Sequence, residues 1–384
     1  MLFYIITVLL GIALDFKLGK GGIGNTYRKV FVVWLYIFLC FGYMTGSDWR
    51  DYELSYNFME SINDLDFSNE VGFSFIFFIL KKIFVDFWIV VGLLKCLYLF
   101  TLIRVVKTLT PFWLSVVSLM VTGDLAFVLI DNPLRFMTAL ILVNMSMELC
   151  LNKRYWIGVL LVFLSFFLHN ASLFFVLLIP CFLFAEIIAK WKKLLIISLY
   201  ALVVVVSSNP LIIETMRQYM ISMAIGFNES VGTYSAYTVE SNASFFSLGN
   251  LAGIALFFVV IFTRDVIVMN YYNGKFIYGM TIIYAMLSKL LFIIPTGFRL
   301  AIPFGLFYMV YMVYLIRSKS VMKWAFIAYI SLSFPLNFWN TYKYIPYSNS
   351  IPYIIAGHKD YHERSMHNIN AYKKRVGKSY DGIY

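Results

Sequence analysis

The feature that most constrains this chain is a succession of apolar runs, each 13 to 19 residues long, with basic residues clustered in every second connection. A helix needs about 20 mostly apolar residues to cross a bilayer, fewer when aromatic or basic anchors cap its ends. The runs predict helices near 2–14, 30–44, 87–103, 112–130, 134–151, 156–169, 171–188, 194–208, 249–263, 276–294, 300–316 and 322–339. Composition agrees: 61% of the 384 residues are hydrophobic, 13% are charged, and the mean hydropathy is +0.80. A soluble domain carries about twice that charge fraction, and a core cannot outgrow its own surface far enough to hide the excess. The expected fold is an all-α polytopic membrane protein of about 12 transmembrane helices, with a range of about 10 to 13.

Basic residues set the expected orientation. Lys17, Lys20, Arg28 and Lys29 follow the first run, Arg104 and Lys107 the third, and Lys153 and Arg154 the fifth. Lys190, Lys192 and Lys193 follow the seventh, Arg264 and Lys275 flank the connection after the ninth, and Arg317, Lys319 and Lys323 follow the eleventh. Every odd-to-even connection is basic and therefore expected inside, which puts the N-terminus outside. Two long segments, 45–86 and 209–248, then fall on the external face. The first carries eight acids against Arg50, Lys81 and Lys82. Within it, Val71 to Phe84 is too short to span and ends in Lys81-Lys82, the pattern of an amphipathic helix lying in the interface. Residues 1–340 read as a single transmembrane domain and 341–384 as a polar tail. The count places that tail outside, although Lys373, Lys374, Arg375 and Lys378 make it basic. The net charge of +11 is spread through the connections, which favours a bilayer over nucleic acid as partner. Cys40, Cys96, Cys150 and Cys181 lie in apolar stretches without metal-ligand spacing and read as small core residues. No cleavable signal peptide, internal repeat or low-complexity segment is evident.

Polar residues in an apolar chain are costly, and they mark where chemistry is to be sought. Gly46-Ser47-Asp48-Trp49-Arg50-Asp51-Tyr52, with Tyr56 beyond it, is either a sugar- and phosphate-binding stretch or a polar exit from the membrane. Asp131-Asn132-Pro133-Leu134-Arg135 opens a helix. Arg135 there either offers a planar fork to a lipid-linked phosphate or snorkels to headgroups. His169-Asn170-Ala171-Ser172 holds the only histidine outside the tail, a candidate general base or a turn residue satisfying a free carbonyl. Lys289 and Arg299 flank the helix break Pro295-Thr296-Gly297-Phe298, and Lys95 is a second buried-looking cation. Arg217, among Ile212, Met216 and Met220, suits a surface helix serving as lid or lipid contact. Glu148 and Glu186 are expected to reach water. No nucleotide-binding loop, dinucleotide glycine pattern, HExxH or CxxC is present, so ATP hydrolysis and a metal or other cofactor are not expected. Energy would come from an activated substrate or an ion gradient.

With Asp48, Arg135 and His169 on one face, the chain resembles the EpsG family, which is related to Wzy-type polysaccharide polymerases. The resemblance is carried by Gly46, Asp48, Trp49, Tyr52 and Tyr56 after the second helix, and then by Glu70, Gly72 and Phe73. It continues in Arg135 with Thr138 and Ala139, in His169 with Ala171, Ser172 and Leu173, in Arg299, and in Tyr344, Pro346 and Tyr347. Where the family often has an arginine before Gly-x-Asp, this chain has Phe41, Gly42 and Tyr43, with Arg50 the candidate substitute. The tail beyond Tyr347 has no counterpart in the pattern.

The resemblance implies a GT-C-like, metal-independent glycosyltransferase of the bacterial cytoplasmic membrane. It would join polyprenyl-diphosphate-linked oligosaccharide repeat units into O-antigen, capsule or exopolysaccharide at the external face, with undecaprenyl diphosphate as leaving group. A chain-length-regulating membrane protein is an expected partner. His169 would take the acceptor proton, and Asp48 would orient a sugar or that histidine. Arg135 and Arg299 would bind the diphosphate, backed by Arg50, Arg217 and Lys289, with Tyr52 and Tyr56 in the substrate site. A flippase would instead show short loops on both faces and more polar residues at mid-membrane. A membrane acyltransferase modifying the polysaccharide would place a histidine early, and the first helix has none.

Overall fold

The structure is a computed structural model. It describes residues 2–376 except 18–21, 47, 63–69, 124, 126, 132, 210, 216–217, 219–247, 292–296, 326 and 332–347. Its elements are α1 (Leu2–Lys17), α2 (Gly22–Cys40), α3 (Trp49–Phe58), α4 (Val71–Ile83), α5 (Phe87–Leu109), α6 (Trp113–Met120), α7 (Leu134–Leu151) and α8 (Tyr155–Phe166). After a 3-10 turn, Asn170–Leu177, follow α9 (Leu178–Ile188), α10 (Lys193–Ser208), α11 (Leu248–Phe262), α12 (Arg264–Asn270), α13 (Gly274–Leu291), α14 (Phe298–Arg317), α15 (Ile351–Ala356) and α16 (Tyr361–Val376). The only pairing of extended backbone among the described residues is an isolated bridge between Gly42 and Asn349.

Four stretches are long and apolar enough to cross a membrane: Phe87–Leu109, Leu134–Leu151, Asn170–Ile188 and Phe298–Arg317. α11 and α12 make a fifth if the 50° bend between them interrupts one span. The chain is therefore an all-helical, multi-pass membrane protein. The run expected as one helix over 112–130 is interrupted. α6 stops at Met120, a turn follows, and a π-helical turn occupies Phe127–Asp131. Gly123 lies in the turn that follows α6 and donates its N–H to the Met120 carbonyl at 3.0 Å. The helix expected over 322–339 runs into residues outside those described.

The fold divides into two compact units, one made of Met1–Val176 with Ile330–Tyr384 and the other of Leu177–Tyr329. In the first unit, α7 packs on α5 and α8. Gly158 makes the close approach to α7 possible, since a Cβ there would lie 2.6 Å from Cys150 Sγ. Buried polar groups are paired across these contacts: Asn144 Nδ2 donates to Thr101 Oγ1 at 3.3 Å and Ser146 Oγ to the Gly158 carbonyl at 2.8 Å. Glu148 accepts from Arg104 at 2.6 Å, so it reaches a guanidinium and not only water. Asp15, buried at the end of α1, accepts from the Ser115 N–H in the first turn of α6 at 2.7 Å. A carboxylate there meets one of the unpaired N–H groups at a helix start.

In the second unit, α13 lies against α9 and α14. Gly279 permits this, because a Cβ there would lie 1.8 Å from the Ala185 carbonyl oxygen. Phe182, Phe276 and Phe307 fill the seam edge to face. Arg264 ties α12 to the end of α9 by donating to the Ala189 and Trp191 carbonyls.

Candidate active site

The site is built in the first unit from α3, α4, the start of α7 and the turn after α8. α3 is amphipathic by rotation: Asp48, Tyr52, Ser55 and Met59 recur at helical spacing and line one cavity. Trp49, Glu53 and Tyr56, one residue further round, are buried on another face. Consecutive residues turn by about 100° on a helix, so adjacent residues serve different faces.

α4 runs back along α3. Phe73 and Phe77, four residues apart, are buried against Tyr52 and Tyr56. Val71, Phe75, Ile79 and Ile83 form its exposed apolar row. This is the amphipathic pattern read from the sequence, and it now has a defined inner face. Lys81 Nζ donates to the Tyr56 carbonyl at 2.6 Å and the Asn57 carbonyl at 2.5 Å. A cation at the last turn of α3 meets its unpaired carbonyls and the negative end of its dipole.

The start of α4 carries the central carboxylate. Glu70 adopts the left-handed conformation (φ 51°, ψ 51°) just before the helix, which turns its side chain away from capping its own helix. Gly72 donates its N–H to the Phe167 carbonyl at 3.0 Å, and a Cβ at Gly72 would lie 2.8 Å from that oxygen. A side chain at 72 would therefore push α4 off the turn that holds His169. α8 ends at Phe166, and Ser165 Oγ donates to Ser172 Oγ at 2.8 Å across the turn.

Glu70 thereby reaches three donors. Oε1 lies 2.6 Å from His169 Nδ1 and accepts from the Asn170 N–H at 3.1 Å, and Oε2 accepts from an Arg135 terminal nitrogen at 3.3 Å. Burial alone would raise the Glu70 carboxyl. The hydrogen bond from His169, the charges of His169 and Arg135, and the Asn170 N–H outweigh it and hold the carboxyl below its usual value. Glu70 is therefore an ionised, acceptor-only group, and Nδ1 of His169 must carry the proton of the 2.6 Å bond. In the neutral imidazole that leaves Nε2 as the lone pair, the protonation a general base requires. Phe136 meets the imidazole edge to face at 5.5 Å.

Arg135, in the first turn of α7, belongs both to this cluster and to the wall of the cavity. Its guanidinium lies 5.7 Å from the Tyr52 ring centre and 5.8 Å from that of Phe73. The cavity holds about 290 Å³ and presents Asp48, Asp51, Tyr52 and Ser74 together with the arginine. That is at the lower end of ligand-pocket volumes, about 300 Å³. A guanidinium, two carboxylates and hydroxyls over aromatic faces are the groups that hold a polyhydroxylated ligand bearing an anion. Burial pushes Asp51 up, with Arg50 opposing and Asp48 adding to the shift. Burial likewise raises the Tyr52 phenol, although Arg135 counters part of the effect. Among the described residues no group of three or more His, Cys, Asp or Glu gathers as a metal site.

The structure thus sets Asp48, Tyr52 and Arg135 on one cavity wall, and Glu70 joins His169, which does not itself line that cavity, to Arg135. It puts Tyr56 elsewhere: the ring is fully buried and its hydroxyl donates to the Phe84 carbonyl at 2.5 Å. Arg50 is also buried, 5% exposed, away from the cavity lining. Lys289, in the last turn of α13, and Arg299, in the first turn of α14, belong to the second unit. Arg217, Ser47, Asn132, Tyr344, Pro346 and Tyr347 lie outside the described residues, as does the side chain of Asp131. Sequence reasoning gave Glu70 no role. Its only signal was an acid two residues before a glycine that opens an aromatic-rich helix.

Comparison with family models matches residues 25–354 to the EpsG family. Comparison with curated proteins and with solved structures returns no match.

Proposed function

The chain belongs to the EpsG family, a Wzy-type polymerase-like family, and from that premise we propose that it polymerises polyprenyl-diphosphate-linked oligosaccharide repeat units. The observation that carries the reading is Glu70, which ties a candidate base, His169, to a candidate anion holder, Arg135, on the wall of a polar cavity.

In this reading the acceptor sugar hydroxyl gives its proton to His169 Nε2, and its oxygen attacks the anomeric carbon of the donor. The bond from that carbon to the diphosphate oxygen breaks, and the polyprenyl diphosphate leaves with the electron pair. Arg135 meets the negative charge that grows on the leaving group, where a preorganised cation contributes most. Asp48 and Tyr52 orient the sugar, and Glu70 holds the imidazole as an acid orients the base of a hydrolytic triad. Arg299, Lys289 and Arg217 stay diphosphate-binding candidates on the sequence pattern alone. The reaction needs no ATP, because the diphosphate is the leaving group.

The same reading takes the protein as a twelve-span, GT-C-like enzyme of the bacterial cytoplasmic membrane with its site outside. It assembles O-antigen, capsule or exopolysaccharide on undecaprenyl diphosphate. The test is the lipid-linked material in a deletion strain. Single repeat units on the outer leaflet support a polymerase. Units held on the inner leaflet would indicate a flippase, and full-length unmodified polymer an acyltransferase.

A further inference from the structure

The C-terminal helices close on the far face of α3. Arg364 of α16 donates to both oxygens of Glu53, at 2.7 and 3.0 Å, and both side chains are only 6% exposed. Its guanidinium lies beside the Trp49 and Tyr361 rings, 5.6 and 5.9 Å from their centres. Its Nε donates to the Lys359 carbonyl at 2.8 Å, and the Tyr361 hydroxyl donates to the Arg50 carbonyl at 3.2 Å. A buried bidentate pair of this kind fixes direction as well as distance.

One turn beyond, α16 reaches the loop that delivers Asp48. Met44 and Gly46 both have positive φ, 53° and 80°. For a methionine that conformation is costly and persists only where surrounding contacts enforce it. Asn368, 2% exposed, donates from Nδ2 to the carbonyls of both residues, at 3.1 and 3.4 Å. The loop that leads into α3 is therefore held by a side chain that lies 322 to 324 residues further along the chain. Farther back, His358 bridges the Asp86 carboxylate at 2.7 Å and the Tyr43 hydroxyl at 3.1 Å, and Asp86 caps α5.

We propose that α16 is part of the enzyme's working site, with Asn368 and Arg364 acting as positioning residues that fix the Met44–Gly46 loop and α3. They thereby set where Asp48 and Tyr52 stand opposite Arg135. The family match ends at residue 354, so nothing in the family pattern assigns these residues. The inference rests on the proposed polymerase reading for its activity readout.

Asn368→Asp is the sharp variant. It keeps the shape, removes the N–H donors and sets a carboxylate against two carbonyl oxygens. With full-length protein in lipid nanodiscs and lipid-linked repeat units as substrate, polymerisation kcat falls at least tenfold. The pH profile of the rate keeps its wild-type midpoint, because the Glu70–His169 pair is untouched. Amide exchange over residues 43–52 rises, whereas exchange over 70–77 stays at the wild-type level. A rate per folded molecule within twofold of wild type, with any loss confined to protein abundance, would overturn the proposal. So would unchanged exchange over 43–52, which is read without substrate and stands even if wild-type protein makes no polymer and the parent reading fails. Should Asn368→Asp not fold, Tyr361→Phe removes only the hydroxyl bonded to the Arg50 carbonyl. It is expected to lower kcat about threefold, and a wild-type rate in that variant would equally overturn the proposal.

Discussion

Replacing Glu70 by glutamine keeps the size of the side chain and changes what it can accept. The carboxylate uses Oε1 for His169 and Asn170 and Oε2 for Arg135. An amide has one acceptor oxygen and one NH₂ donor. If its oxygen faces His169, its NH₂ faces the Arg135 guanidinium, and that contact is lost. If it turns over, the NH₂ faces Nδ1, the imidazole proton moves to Nε2, and the base is in the wrong tautomer. Losing a charge-assisted bond costs about 1.5–3 kcal/mol. The Arg135 arm counts for less of this, since that side chain is 39% exposed and solvent screens it. The His169 arm therefore dominates. At about 1.4 kcal/mol per tenfold, the bond alone is worth about ten- to a hundredfold. The wrong tautomer extends the loss toward the roughly 10⁴-fold seen when a triad acid becomes an amide. The expected fall in polymerisation rate is about 10² to 10⁴, read as the initial rate of chain growth by reconstituted protein. A Glu70→Gln rate within threefold of wild type, at equal folded amount, would refute the orienting role.

Three further outcomes follow from the same geometry. Arg135→Lys keeps the charge but cannot hold Glu70 and a phosphate oxygen with one planar fork, so the rate should fall about ten- to a hundredfold in the same assay. Gly72→Ala sets a Cβ 2.8 Å from the Phe167 carbonyl oxygen. Overpacking of that kind costs about 1–3 kcal/mol, seen as a lowered unfolding temperature together with lost activity from a displaced His169. Because the folded Glu70 carboxyl lies below its ordinary value, its stabilisation is complete above about pH 4.3 and is lost as pH falls through the lowered value. The stability gap between wild type and Glu70→Gln should therefore narrow as the pH falls below about 4.

The spanning helices were legible because an 18- to 23-residue apolar run has few alternatives in lipid, and α5, α7 and α14 follow the sequence reading closely. Arg135 and His169 were legible because each is a costly residue at the end of such a run. The role of Glu70 was not, since its partners lie 65 and 99 residues away and only the folded chain brings them together. Tyr56 and Arg50 were drawn into the substrate site by their nearness to Asp48 in sequence. On a helix that nearness turns them to other faces, and both are buried. The C-terminal segment was the least legible. α16 is polar and looks like a solvated tail, yet Arg364 and Asn368 bury their polar ends against α3 and the loop before it. No local pattern announces a partner more than 300 residues away.

The central claim is that His169 takes the proton from the acceptor hydroxyl, and the product ladder of His169→Ala in a strain lacking its own polymerase tests it most directly. The expected gel shows carrier lipid bearing single repeat units and no longer chains, at normal protein abundance. A full ladder from that variant would contradict the claim.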